Sequence, residues 1–208
     1  MLKHLYLLVR SLAERCAAAC LILVLSPLLL ALAYVIRLSM GSPVLFKQRR
    51  IGYHGRPFTV WKFRTMVPAA HQVADQVNPL EAGLIPPLGR LLRRTSLDEL
   101  PQLANILFGD MSFIGPRPML PEIYEHCTPR QRLRTLVPQG ITGLAQVRYR
   151  NNAPWSVRIE ADLHYVHTVG PLTDLRILEQ TITKVIKRED VRLDQTAAQV
   201  DDLTPSTP

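Results

Sequence analysis

The feature that most constrains this chain is an uncharged run of 21 residues at positions 16–36, CAAACLILVLSPLLLALAYVI. A helix of that length crosses the hydrocarbon core of a bilayer. A cleaved signal peptide fits poorly, because the run is long and no small-x-small cleavage site precedes the next basic residue. Ser26-Pro27 stands at its centre. Proline removes a backbone donor and crowds the preceding turn, so a kink is expected there. The Ser26 hydroxyl is placed to bond a carbonyl that the kink frees. Lys3, Arg10 and Arg15 precede the run, and Arg37, Lys47, Arg49 and Arg50 follow it. Basic flanks at both ends disfavour exporting either one. A helix that enters, breaks at Ser26-Pro27 and returns to the same face satisfies both flanks. On the residues alone, a kinked spanning helix stays open beside it.

Composition narrows the partners. The chain has 208 residues and is 47% hydrophobic, enough for one domain with a core that needs no disulfides. Cys16 and Cys20 lie in the apolar run and Cys127 stands apart, so reduced thiols and a cytoplasmic setting fit best. No Cys/His spacing resembles a zinc site. The net charge is +8; residues 189–208 carry five acids and one arginine, which leaves +12 on residues 1–188. Such a surface suits phosphorylated substrates, anionic lipid or nucleic acid. Without a zinc finger, an RNA-recognition signature or an aromatic-interleaved basic stripe, nucleic acid is set aside.

The order of the chain predicts three parts: a membrane segment over residues 1–40, a cytoplasmic domain over 41–188, and a disordered acidic tail over 189–208. Short strands around Val44-Leu45-Phe46 and Phe58-Thr59-Val60-Trp61 flank a Gly52-Tyr53-His54-Gly55 turn, a hairpin signal. Lys47, Arg49, Arg50, Lys62 and Arg64 decorate it, as a basic face or with some of them neutralising phosphate, Lys62 and Arg64 being the stronger candidates. A helix fragment is expected over 69–77 and an amphipathic helix over 88–94. Residues 100–108 carry Leu100, Leu103, Ile106 and Leu107 at helical spacing, and Gly109 ends that helix. A polar helix is expected over 121–136, a turn and strand over 140–147, and two helices over 155–167 and 172–186. On the last, Leu175, Leu178, Ile182 and Ile186 read as a face for core or interfacial packing.

Between these elements runs Arg93-Arg94-Thr95-Ser96-Leu97-Asp98-Glu99-Leu100-Pro101-Gln102. Ser96 followed by Glu99 fits a capping box and would place both acids in a first helical turn. Acids there complement the helix dipole. Adjacent carboxylates beside cations also suit divalent-metal and phosphate chemistry. Four histidines, His54, His126, His164 and His167, read as surface or hydrogen-bonded groups.

Several blocks in this order resemble bacterial sugar transferases of the small monotopic phosphoglycosyl transferase type. They are the apolar run with Ser26-Pro27; Ser42-Pro43-Val44-Leu45-Phe46-Lys47-Gln48 with Arg50-Ile51-Gly52; Lys62-Phe63-Arg64-Thr65-Met66; Leu88-Gly89-Arg90 through Leu100-Pro101-Gln102; Gly109-Asp110-Met111-Ser112 with Gly115-Pro116-Arg117-Pro118; Gly140-Ile141-Thr142-Gly143 with Ala145-Gln146-Val147; and Asp162, Tyr165 and Asp174-Leu175. The resemblance covers about residues 11–188. It implies an α+β, mostly helical monotopic protein with an N-terminal re-entrant helix-break-helix and a small β-hairpin or sheet. It implies transfer of a sugar-1-phosphate from a UDP-sugar to polyprenyl phosphate, with release of UMP and with Mg²⁺, at the cytoplasmic face of the bacterial inner membrane. By the resemblance, Asp98 matches the nucleophile and Glu99 the adjacent acid that holds metal. Substrate contacts are expected from Lys62, Arg64, Arg93, Arg94, Pro116-Arg117-Pro118 and Arg150. A homodimer is compatible with the resemblance. The competing reading is a non-catalytic anchored scaffold that binds lipid phosphates, which the retained Asp98-Glu99 disfavours. Gln139-Gly140 and Arg148-Tyr149 depart from the family's Pro-Gly and Asn-Gly, so the resemblance assigns no donor sugar.

Overall fold

The computed structural model describes residues 2–67, 82–149, 153–187 and 202–203. One helix, α1 (Leu2–Met40), dominates it. At about 1.5 Å per residue it is roughly 58 Å long. It continues through Pro27 as one helix, so the expected break at Ser26-Pro27 is not seen. The reason is local. Pro27 has no N–H for the Leu23 carbonyl, and the Ser26 hydroxyl donates to that carbonyl instead, at 2.8 Å.

Two stripes divide α1. Ala18, Ile22, Leu25, Leu29, Leu32 and Ile36 recur at three- and four-residue spacing and pack against the rest of the chain. Leu23, Val24, Leu30, Tyr34 and Leu38 lie on the open side and are highly exposed. The helix is tied down at both ends. The Lys3 ammonium donates to the Val166 carbonyl at 2.5 Å, and Arg64 donates to the Met40, Gly41 and Ser42 carbonyls. Arg10, also buried, donates to Asp174 at 2.6 Å, Tyr165 at 2.8 Å and Ser112 at 2.9 Å.

The expected hairpin is present and longer than read. β1 (Leu45–Ile51) pairs antiparallel with β2 (Pro57–Phe63) around the turn at His54 and Gly55, both at positive φ. A helix, α2 (Pro87–Thr95), leads into a 3-10 turn over Leu97–Glu99, and α3 (Gln102–Phe108) follows. Gly109, at φ 86°, ends α3 as expected. β3 (Ser112–Ile114) pairs in parallel with β4 (Gly140–Thr142). Glycine is required here: a Cβ on Gly115 would stand 2.1 Å from the Pro138 carbonyl oxygen, and one on Gly143 2.1 Å from that of Gly115.

Residues 121–136 are not one helix. α4 (Pro121–Glu125) stops, and α5 (Pro129–Arg132) starts afresh before a 3-10 turn over Leu133–Leu136. Thr128 and Gln131 form the capping box there, with Pro129 at the first helical position. After β4 the chain enters a short helix, α6 (Leu144–Tyr149), where a continuing strand was expected. α7 (Trp155–Thr168) and α8 (Pro171–Lys187) match the two expected helices. On α8, however, Leu175, Leu178 and Ile182 are exposed, while Asp174 and Ile177 are buried. The polar Asp174 turns inward because Arg10, Tyr6 and Tyr165 all donate to it. The helix fragment expected over 69–77 lies outside the described residues. So does the acidic tail, except Asp202, which accepts from the Ser156 N–H, and Leu203, which packs on a core cluster.

Candidate active site

The two acids are presented by a reversal, not by a helix start. Ser96 takes the left-handed conformation at φ 57° and closes α2 through its own N–H; its side chain caps nothing. The expected capping box is therefore absent. Asp98 and Glu99 sit on the tight 3-10 turn between α2 and α3. Asn105 on α3 holds this unit to the edge of β2: its amide donates to the Thr59 carbonyl at 2.7 Å and its oxygen accepts from the Trp61 N–H at 3.1 Å. Lys62 thereby comes within reach of Glu99.

Glu99 is the electrostatic hub. Its Oε1 accepts from Lys62 at 2.6 Å and from Arg117 at 2.9 Å. Burial pushes its carboxyl up, but the two cations outweigh that and hold it well below the usual carboxylate range. Asp98 is only 8% exposed. Among the described residues no hydrogen bond reaches its carboxylate. Burial pushes it up to about 6, and the Glu99 charge adds to that; Lys62, Arg93 and Arg117 pull the other way. The two adjacent acids are thus driven apart in acidity, which is how neighbouring carboxyls come to play different parts.

Arg117 is aimed by a loop whose three carbonyls are each held. The Pro116 carbonyl accepts from the Gly140 N–H at 2.9 Å, that of Arg117 from Arg134 at 2.8 Å, and that of Pro118 from Arg50 at 3.2 Å. Pro116 and Pro118 are buried, and only the Arg117 side chain reaches out of the loop. Arg134 is locked in turn by Asp162, at 2.5 and 3.0 Å, in a pair that is almost wholly buried.

The structure therefore gathers Asp98, Glu99, Lys62 and Arg117. Arg93 stands alongside: it donates to the Thr65 hydroxyl at 2.8 Å, and the Asp98 charge acts on it. Arg94 is exposed to solvent. Arg64 is elsewhere: its donors go to the carbonyls at the end of α1, so it closes the membrane helix. Arg150 lies outside the described residues. Arg50, expected among the cations of the hairpin, holds the Pro118 carbonyl; sequence reading missed Arg134, Asp162 as its partner, and Asn105. Nothing local singles these out: Arg134 reaches Arg117 and Asp162, 17 and 28 residues away, and Asn105 reaches Trp61 and Thr59, 44 and 46 residues away.

A long apolar helix joined to a cluster of two acids and three cations fits an enzyme that works at a membrane on anionic groups. The chain belongs to the bacterial sugar transferase family, whose model matches residues 5–188. It is 41% identical over 186 residues to the uncharacterized sugar transferase EpsL of Bacillus subtilis, covering 89% of this chain and 91% of that one. It is 38% identical to the UDP-glucose:undecaprenyl-phosphate glucose-1-phosphate transferase of Caulobacter vibrioides, over 84% of this chain and 68% of the relative. To the protein of the same name in Escherichia coli it is also 38% identical, over 80% of this chain but 38% of that longer one.

Proposed function

We propose that this protein transfers a sugar-1-phosphate from a UDP-sugar to a polyprenyl phosphate at the cytoplasmic face of the bacterial inner membrane, releasing UMP. The observation that carries this reading is a buried Asp98 carboxylate among cations, with no hydrogen bond among the described residues, beside a Glu99 already neutralised by Lys62 and Arg117. The Caulobacter and Escherichia relatives are named for the matching transfer.

In this reading an Asp98 oxygen bonds the sugar-bearing phosphorus while the phosphoanhydride bond to UMP breaks, and UMP leaves with the electron pair. An oxygen of the acceptor phosphate then bonds the same phosphorus, and the Asp98 carboxylate is released. Lys62 and Arg117 face the phosphate oxygens and offset their charge, with Arg93 beside Asp98. The donor set suits Mg²⁺. Asp98 and the second oxygen of Glu99 make no hydrogen bond among the described residues, and no cluster of three or more His, Cys, Asp or Glu is found there. A hard cation that keeps waters and takes substrate phosphate oxygens accepts so small a protein contribution. When bound, it supplies further neutralisation of the phosphates.

Purified protein with Mg²⁺, polyprenyl phosphate and a panel of UDP-sugars is expected to release UMP. Release of UDP, or of neither, would refute the reading, and the productive donor names the sugar. The pH dependence has a fixed sign. The nucleophile acts as a carboxylate, so single-turnover UMP release falls as pH drops through about 6 and is level above it. Cation binding at the pair moves that limb to lower pH. A rate that rises on acidification contradicts the assignment.

For α1 we propose a one-sided insertion. Both its ends are bonded to the same domain, through Lys3 and through Arg64. A helix that crossed the bilayer would have to bring that charged domain with it. Single cysteines replacing Lys3 and Lys47 are expected to label from the same side of sealed vesicles; opposite-side labelling restores a span.

A further inference from the structure

Between α1, β2 and α3 lies a cavity of about 380 Å³. Its size falls within the range of small-molecule sites. Every side chain that lines it is apolar, including Leu29, Leu30 and Ala33 of α1, Trp61 of β2, Leu100 after the 3-10 turn and Ala104 of α3. A sugar, nucleotide or other polar ligand would find no groups here to replace its water, and polar groups buried without partners are strongly disfavoured. Domain interiors are close-packed, so an open apolar space of this size calls for an apolar occupant.

Two boundaries say which one. At the outer boundary Leu30 lines the cavity and is 72% exposed, on the same open side of α1 as Leu23, Val24 and Leu38. The mouth therefore opens on the exposed apolar side of α1, the side free to meet lipid. At the inner boundary, Leu100 and Pro101 directly follow Asp98-Glu99 in the chain, and Trp61 and Phe63 flank Lys62. Side chains alternate along a strand, so Trp61 and Phe63 face the cavity while Lys62 points away from it, to Glu99. One strand and one tight turn thus form the shared wall of an apolar compartment and an ionic one.

We propose that this cavity holds the part of the acceptor's isoprenoid chain nearest its phosphate, and so sets the acceptor phosphate against Asp98. The inference rests on the transfer reading above, in which the acceptor alone joins a long apolar chain to a reacting phosphate. The chain enters from the bilayer beside Leu30, fills the space along α3, and delivers its phosphate over the turn at Leu100 to the cations.

The test uses the full chain in detergent, with Ala33→Phe and Ala104→Phe each filling the cavity from one wall. Two measurements are made: the burst of UMP with the UDP-sugar alone, which needs no acceptor, and the KM for polyprenyl phosphate in steady state. The expected result is an intact burst and an acceptor KM raised by about tenfold or more, the scale on which an apolar pocket responds to a changed side-chain volume. An intact burst with unchanged acceptor KM in both variants overturns the proposal and leaves the cavity to bulk lipid acyl chains. Absence of a burst in the unsubstituted protein is a different failure: it strikes the two-step transfer reading itself.

Discussion

Asp98→Asn is expected to abolish turnover, by about 10⁴-fold or more, while leaving the fold intact. Removing a covalent nucleophile forfeits the entire two-step path, and losses of this order are usual. The substitution is nearly isosteric. It also removes a buried carboxylate that no described group hydrogen-bonds, so stability is expected to hold or rise slightly. Three readouts separate the alternatives: UMP release, covalent retention of labelled sugar phosphate on the protein, and thermal unfolding. Turnover that survives in a folded Asp98→Asn protein would defeat the covalent mechanism. Retention of label by Asp98→Asn would place the bond on another residue.

The second large effect concerns the buried Arg134–Asp162 pair, whose side chains are 1% and 2% exposed. Arg134→Ala leaves a carboxylate in the core without its cation, and such losses cost about 3–5 kcal/mol. The position is sensitive because Asp162 Oδ1 already lacks a hydrogen-bond partner among the described residues. Arg134 also holds the Arg117 carbonyl. The variant should therefore lose donor affinity under conditions where it stays folded, since the arginine that faces Glu99 is no longer aimed. The double variant Arg134→Met with Asp162→Leu should recover most of the stability, because apolar groups of similar size replace a buried pair at little cost. It should not recover donor binding, because the Arg117 carbonyl stays unheld. Chemical denaturation and the donor KM test the two halves separately. An Arg134→Ala protein as stable as the unsubstituted one would remove the pair from any structural role.

What could be read along the chain was what neighbours in sequence decide. The hairpin, α3 with its Gly109 stop, and helices α7 and α8 all follow from periodicity and turn residues spaced within a few positions. The Ser26 bond to the Leu23 carbonyl follows the same local logic. The fold departs from the local expectation where local signals compete. Ser96 with Glu99 matched a capping box, but Ser96 was needed in the left-handed conformation to turn the chain from α2 toward α3. Thr128-Pro129-Arg130-Gln131 carried a true box, hidden inside a polar run that looked continuous. The apolar stripe on α8 faces outward, because Asp174 on the other face finds three donors and turns that side inward.

By itself, the sequence determined the class of protein: a long apolar helix, a basic domain, and the order of blocks that names a family. It also marked the acids, because Asp98 and Glu99 are adjacent in the chain. Their division of labour was decided only by the tertiary structure. Lys62 lies 37 residues from Glu99 and Arg117 lies 18 from it, and both chose the same oxygen. Arg64, which looks equivalent to Lys62 two positions earlier, was drawn instead to the carbonyls that end α1. Charge on a residue is written in the sequence, but the direction in which it acts depends on which unpaired groups the fold leaves within reach, and a buried carbonyl or carboxylate must be answered by whatever donor arrives.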